Sequence, residues 1–142
     1  MRVMLDANVL LDCLVLEADG GQRKGKSSSE QLLNLCDNGI HDGLVAWHTL
    51  PIVAYYHGRQ HAKEVTADMM DSLLTMLEVA SVGHEDAIQW REYSIPDFED
   101  ALQIASALAG KAEVFVSRNK SDFKDSPLPV MTPEEFLVLY GS

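Results

Sequence analysis

Four aspartates stand where the sequence changes character. Asp6 ends the apolar run Val3-Met4-Leu5, Asp97 and Asp100 lie three residues apart in Pro96-Asp97-Phe98-Glu99-Asp100, and Asp122 closes the polar stretch Ser117-Arg118-Asn119-Lys120-Ser121-Asp122. A carboxylate at the end of a buried strand costs stability unless it is paired or hydrogen-bonded. Asp6 therefore either caps the next helix or belongs to a site. Several carboxylates gathered in one crevice repel one another and raise one another's pKa values, a cost that a divalent cation removes. All the available ligands are hard oxygens, with no Cys or His cluster beside them, which favours Mg²⁺ or Mn²⁺ over zinc.

Convergence of these residues depends on the elements that carry them. Short apolar runs at 3–5, 44–47, 79–82 and 114–116 read as strands, with an edge strand within 127–131. Helical spacing fits 7–17, 49–57, 62–78, 84–93 and 97–109. Ser27 and Glu30 have the form of a capping box opening a further helix through Asn38, and Thr132-Pro133-Glu134-Glu135 opens the last one. Between the first two helices, 19–26 is rich in glycine and polar residues and reads as a loop. Strands alternating with helices predict an α/β fold, three-layer α/β/α, with a central parallel sheet of four to five strands.

In such sheets the ligand crevice lies outside the carboxyl ends of the strands. Asp6 follows the first strand directly. The helix over 97–109 feeds the 114–116 strand through a tight turn, so it runs antiparallel to it and brings Asp97 and Asp100 to the same edge. A spacing of three places these two on one helix face, with Glu99 turned away into solvent. Asp97 also fits a helix cap, and Asp122 also fits a loop clasp that accepts backbone N–H bonds. Thr49 and Ser117 follow the second and fourth strands. Neither has a histidine partner, so both are read as positioning carboxylates rather than as nucleophiles, and a serine hydrolase is disfavoured.

The 142 residues suit one domain, 1–142. No apolar run reaches the length of a membrane span and no signal peptide is recognisable, so no membrane partner and a cytoplasmic location are expected. Cys13 and Cys36 read as small buried hydrophobes, with no disulfide. A net charge of −11, from 11 Lys plus Arg against 22 Asp plus Glu, argues against strong non-specific binding to nucleic acid. Six of the basic residues nevertheless fall in Arg23-Lys24-Lys26 and Arg118-Lys120-Lys124. A local basic rim there would let Arg118 and Lys120 grip phosphates. His57 and His61 have the spacing of a zinc pair but lack a metalloprotease glutamate, and Gly58 weakens their helix, so they are read as surface. Trp47, Trp90, Phe98, Tyr55 and Tyr56 are read as core or interface rather than as base-stacking platforms. A phospho-acceptor receiver domain is set aside, because neither 44–47 nor 79–82 ends in aspartate.

Five fragments in register, MRVMLDANVLLD, AWHTL, IPDFEDALQIASAL, VFVSRNKSDF and PVMTPEEFL, resemble a PIN-domain protein over nearly the whole chain. The resemblance implies a Mg²⁺- or Mn²⁺-dependent ribonuclease that leaves a 5′-phosphate. It is closest in kind to the toxin ribonucleases of bacterial and archaeal toxin-antitoxin pairs, so RNA as substrate, an antitoxin partner and a homodimer are expected. It assigns the site to Asp6, Asp100 and the Asn119 to Asp122 segment, with Asn8 beside the first aspartate and Asn119 orienting water or RNA backbone. One departure is visible. Many members carry a glutamate about five residues after the hydroxyl residue, where this chain has Ala54. Either Asp97 compensates, or the fold is a catalytically weak module that binds RNA or protein. Apolar residues around Tyr55, Tyr56 and 69–77 could form a dimer seam or belong to the core.

Overall fold

The computed structural model describes residues 1–142. Strand β1 (Arg2–Leu5) is flanked on both sides by parallel neighbours, and the sheet has the order β3-β2-β1-β4-β5. The other strands are β2 (Asp42–Val45), β3 (Glu78–Val79), β4 (Val114–Val116) and β5 (Val130–Met131). All four pairings are parallel. The helices are α1 (Ala7–Leu14), α2 (Lys26–Asp37), α3 (Thr49–Gly58), α4 (Lys63–Met76), α5 (His84–Ile88), α6 (Phe98–Ala109) and α7 (Pro133–Tyr140).

Successive side chains of a strand point to opposite faces, and the two cores follow from that alternation. Val3 and Leu5 of β1 and Val114 and Val116 of β4 pack with Val9, Leu32, Val53, Leu73 and Phe136, so α1, α2, α3, α4 and α7 cover one face. Met4, Leu44 and Phe115 point the other way and pack with Ala101, Ile104 and Ala107 of α6. Helix α5 and a 3-10 turn at Trp90–Tyr93 pack on α6. The structure is thus the expected three-layer α/β fold, with five parallel strands. Gly43 in β2 is explained by the close approach of α2 and the end of α4: a Cβ there would lie 2.4 Å from Leu77 Cδ2 and 2.9 Å from Cys36 Sγ.

Several boundaries differ from the sequence reading for identifiable reasons. Helix α1 stops at Leu14 because Leu16 forms an antiparallel bridge with Gln22, closing the loop that follows. Helix α2 begins one residue before Ser27, so the expected capping box does not form and Glu30 pairs with Lys26 at 3.3 Å. The α7 capping box does form: Thr132 accepts from Glu135 N, and Glu135 accepts from Thr132 N. His57 is a correction, since it is buried, its Nδ1 lies 2.7 Å from Thr66 Oγ1, and its ring stacks on His61. Leu73 and Leu77 are core, whereas Tyr55 and Tyr56 are exposed. Both cysteines are free. No helix is long and apolar enough to cross a membrane.

Candidate active site

The carboxyl edge of the sheet gathers residues from three segments. Asp6 leaves β1 with an extended backbone and caps α1, its Oδ1 accepting from Ala7 N at 2.7 Å. Its Oδ2 accepts from Ser117 Oγ at 2.7 Å and from Asn8 Nδ2 at 3.3 Å. Capping and membership of a site are therefore compatible in one side chain. The residue is only 7% exposed, and burial first, with Glu99 adding repulsion, pushes its pKa up to about 6 despite the bonds from Ser117 and Ala7.

Asp97 caps α6, its Oδ2 accepting from Asp100 N at 3.0 Å. Asp100 is half-buried, and its pKa is pushed up to about 7 by burial and then by Glu99, Asp97, Asp6 and Asp122. Asp97, Asp100 and Asp122 line a cavity of about 280 Å³ together with Lys124. Three of the four aspartates named from sequence line this cavity, and Asp6, outside its lining, is near enough to act electrostatically on Asp100. No three of the Asp, Glu, His or Cys side chains close on a single point. What the crevice offers is a set of hard oxygen donors, of which Asp6 and Asp100 are held back from ionising by burial and by neighbouring carboxylates, and hard oxygens suit a hard divalent cation. A cation bound there would be held by Asp6 and Asp100, with Asp97 or Asp122.

Glu99 is the residue the sequence reading missed. Its side chain is 44% exposed, yet it repels both Asp6 and Asp100 and has its carboxylate 3.2 Å from His48 Nε2. Burial and pairing place four further polar residues named from the sequence. Thr49 is fully buried and accepts from Gln103 Nε2 at 2.7 Å, tying α3 to α6 away from the carboxylates. Ser117 is also fully buried, and its hydroxyl serves Asp6, Asn8 and the backbone of Asn119. Asn8 braces the same cluster and accepts from Arg118 N through its Oδ1. Arg118 turns inward, where its Nε donates to Asp12 at 2.7 Å and its other nitrogens reach Glu134, Gly25 O and Ser29.

The expected basic rim is largely neutralised. Arg23 donates to the same buried Asp12 at 3.1 Å, and Lys26 pairs with Glu30. Lys120 is bridged to Glu135 at 3.0 Å but remains half-exposed, and Asn119 is exposed. Lys124 borders the acidic cavity.

The pKa values carry a stability prediction. Asp6 and Asp100 hold protons more tightly folded than unfolded, where both have the ordinary value of 3.8. Their destabilising effect is absent below about pH 4, appears as the pH rises, and is complete above about pH 7. For buried Asp6 the shift corresponds to about 3 kcal/mol. Urea unfolding in EDTA should therefore show stability falling between about pH 4.5 and pH 7.5, less steeply in Asp100→Asn. Identical slopes in the two proteins would contradict the crowding of charge described here.

The family model for the PIN domain matches residues 2–121, from β1 through the loop after β4. The chain belongs to the PIN domain family. Solved structures with the same fold include VapBC2 from Rickettsia felis bound to a DNA fragment from the promoter. It is 20% identical, with a TM-score of 0.67 over 92% of this chain and 97% of that one. FitAcB from Neisseria gonorrhoeae is 15% identical, with a TM-score of 0.65 over 93% of this chain and 98% of that one. VapBC-1 from nontypeable Haemophilus influenzae is 12% identical, with a TM-score of 0.65 over 94% and 99%. At these identities the likeness is one of fold. Comparison with curated proteins gives no match. In this PIN domain Asp6, Asp97 and Asp100 all fall within the matched span, and Asp122 lies one residue beyond it.

Proposed function

We propose that this PIN domain is a divalent-metal-dependent ribonuclease and the toxin of a toxin-antitoxin pair. The observation that carries the nuclease reading is the gathering of Asp97, Asp100 and Asp122 in one cavity with Asp6 and Glu99 close enough to repel Asp100. Such crowding is costly to the fold and is useful when a cation occupies the crevice. Mg²⁺ or Mn²⁺, when bound, would supply Lewis-acid polarisation of the scissile phosphate and a more acidic water. The protein's own contribution is placement. Ser117 and Asn8 fix the Asp6 carboxylate, and the α6 cap holds Asp97 and Asp100 on the opposite wall. Hydrolysis forms a bond from water oxygen to phosphorus and breaks the bond from phosphorus to O3′. The leaving O3′ of the upstream fragment takes up a proton released by the attacking water, and the phosphate stays on the 5′ oxygen of the downstream fragment.

The antitoxin reading is supported by the VapBC and FitAcB assemblies that share the fold. Exposed Tyr55 and Tyr56 on α3 are the surface we assign to a homodimer. The protein is further proposed to act as one domain in the cytoplasm. A second reading, a catalytically weak module that binds RNA or protein, is favoured by Ala54 standing where many members carry glutamate.

The test is cleavage of a single-stranded RNA with Mn²⁺ and with EDTA, using wild type and Asp100→Asn purified side by side. Contaminating ribonuclease would survive the substitution. Cleavage that needs Mn²⁺ and is lost in the variant supports the enzyme. Equal activity in the two proteins removes the enzyme claim, and RNA binding without turnover selects the second reading.

A further inference from the structure

Trp47 was expected in the core or an interface, yet its indole is 69% exposed. It lies two residues past the end of β2, where the backbone leaves the sheet at the carboxyl edge. β1 and β2 are in parallel register with Met4 beside Leu44, and continuing that register sets Asp6 level with Ala46. Trp47 is one residue further along the neighbouring strand, and adjacent strands lie roughly 5 Å apart. The backbone that carries the most exposed aromatic ring of the chain therefore leaves the sheet beside Asp6, with the ring facing hollows separate from the acidic cavity.

A cavity of about 200 Å³ opens beside this ring. Its walls are apolar, from Val82, Ala87, Leu102 and Ala105, and Trp47 with His48 closes one side. A second hollow, bounded by Val79, Ala80 and Val82, lies against Trp47 as well, so the indole projects between two concavities. Pockets for drug-sized ligands run to roughly 300–1,000 Å³. This cavity is smaller and suits a single flat heteroaromatic group. The charges nearby are negative: Asp86 lines the cavity, and Glu99 lies 3.2 Å from His48 Nε2. They would repel a phosphate and leave an uncharged ring as the group that enters. His48 connects the two regions, since it lines the cavity, faces Glu99 and acts electrostatically on Asp6.

We propose that Trp47 and this cavity form a nucleobase subsite that stacks one unpaired base of the RNA next to the scissile phosphate. Every base has a π-face, so stacking on tryptophan tolerates any sequence. A base held in a duplex cannot reach the ring, so only an unpaired base can occupy the subsite. The proposal rests on the ribonuclease reading for its ligand, and the experiment separates the two.

Trp90→Phe leaves Trp47 as the sole tryptophan, because the chain has only two. Its fluorescence is titrated in EDTA with a single-stranded adenine tetranucleotide, and with ribose 5-phosphate as the control without a base. Saturable quenching by the tetranucleotide alone is expected. In parallel, Trp47→Ala should raise KM for single-stranded RNA roughly 5- to 100-fold, the size of one lost stack. Its kcat should be unchanged, and Trp47→Phe should restore most of the affinity. Absence of quenching together with an unchanged KM overturns the subsite, even if RNA is cut, and assigns the surface to a protein partner. Equal quenching by ribose 5-phosphate overturns it too. Base-dependent quenching in a protein that cleaves no RNA would uphold the subsite and sink the ribonuclease reading.

Discussion

Asp6→Asn is expected to lower kcat/KM for RNA cleavage by more than about 100-fold while the protein remains folded. Asparagine keeps the shape of the side chain and one carbonyl oxygen, which can still accept a bond from Ala7 N or Ser117 Oγ. What it removes is the negative charge facing Asp100. Residues that merely orient a metal ligand typically cost about 10- to 100-fold when mutated, so loss of the ligand's charge should exceed that range. Ser117→Ala supplies the comparison. It leaves the carboxylate but removes the hydroxyl that donates to it and receives Asn8, and a loss of about 10- to 100-fold is expected. Initial rates on one RNA, measured for both variants, test the ordering. Cleavage by Asp6→Asn at the wild-type rate would end the assignment of Asp6.

Arg118→Ala is expected to destabilise the fold by about 3 kcal/mol, the largest stability effect predicted for one side chain here. Asp12 is 4% exposed and is held by Arg118, Arg23 and Ser29. Removing one partner from a buried ion pair leaves charge without compensation, which typically costs about 3–5 kcal/mol. Arg23 remains as a second cation, which places the expected value at the low end. The guanidinium also joins α2 to α7, through Gly25 O and Glu134. Gly25 is required for this contact, since a Cβ there would lie 2.3 Å from Arg118 Nη2. Replacing Asp12 with Leu and Arg118 with Met together should cost less than Arg118→Ala alone, because no orphaned charge remains. Urea denaturation of the three proteins measures this, and a double variant less stable than the single one would contradict it.

The contrast between Arg118 and Asp6 shows what the chain reveals locally. Asp6 was legible because its oddity is local: a carboxylate closing an apolar strand demands an explanation within a few residues. Arg118 is an ordinary basic loop residue by sequence, and its true partner, Asp12, is 106 positions away. Nothing near either residue says that the cation faces inward. Glu99 was misplaced for a geometric reason. Counting Asp97 and Asp100 as helical neighbours put Glu99 on the far side, but Asp97 is the cap, with extended backbone at φ −83° and ψ 131°. The helical count starts at Phe98, which turns the first helical residues relative to that estimate. Thr49 and Ser117 looked equivalent, as hydroxyls just past strands. Only contacts across the fold, Gln103 for one and Asp6 for the other, distinguish them. The parallel sheet itself followed from short apolar runs alternating with helices, a pattern that acts over short ranges, whereas its order β3-β2-β1-β4-β5 rests on pairings between distant segments.

The central position of β1 bears on synthesis. β1 is made well before β4, one of its two neighbours, and the hydroxyl that grips Asp6 is 111 residues downstream. Contacts so distant along the chain form late, after much loop entropy has been lost. The acidic crevice is consequently closed only once β4 and the loop after it have been made, so a nascent chain that has not reached Ser117 carries no assembled carboxylate cluster.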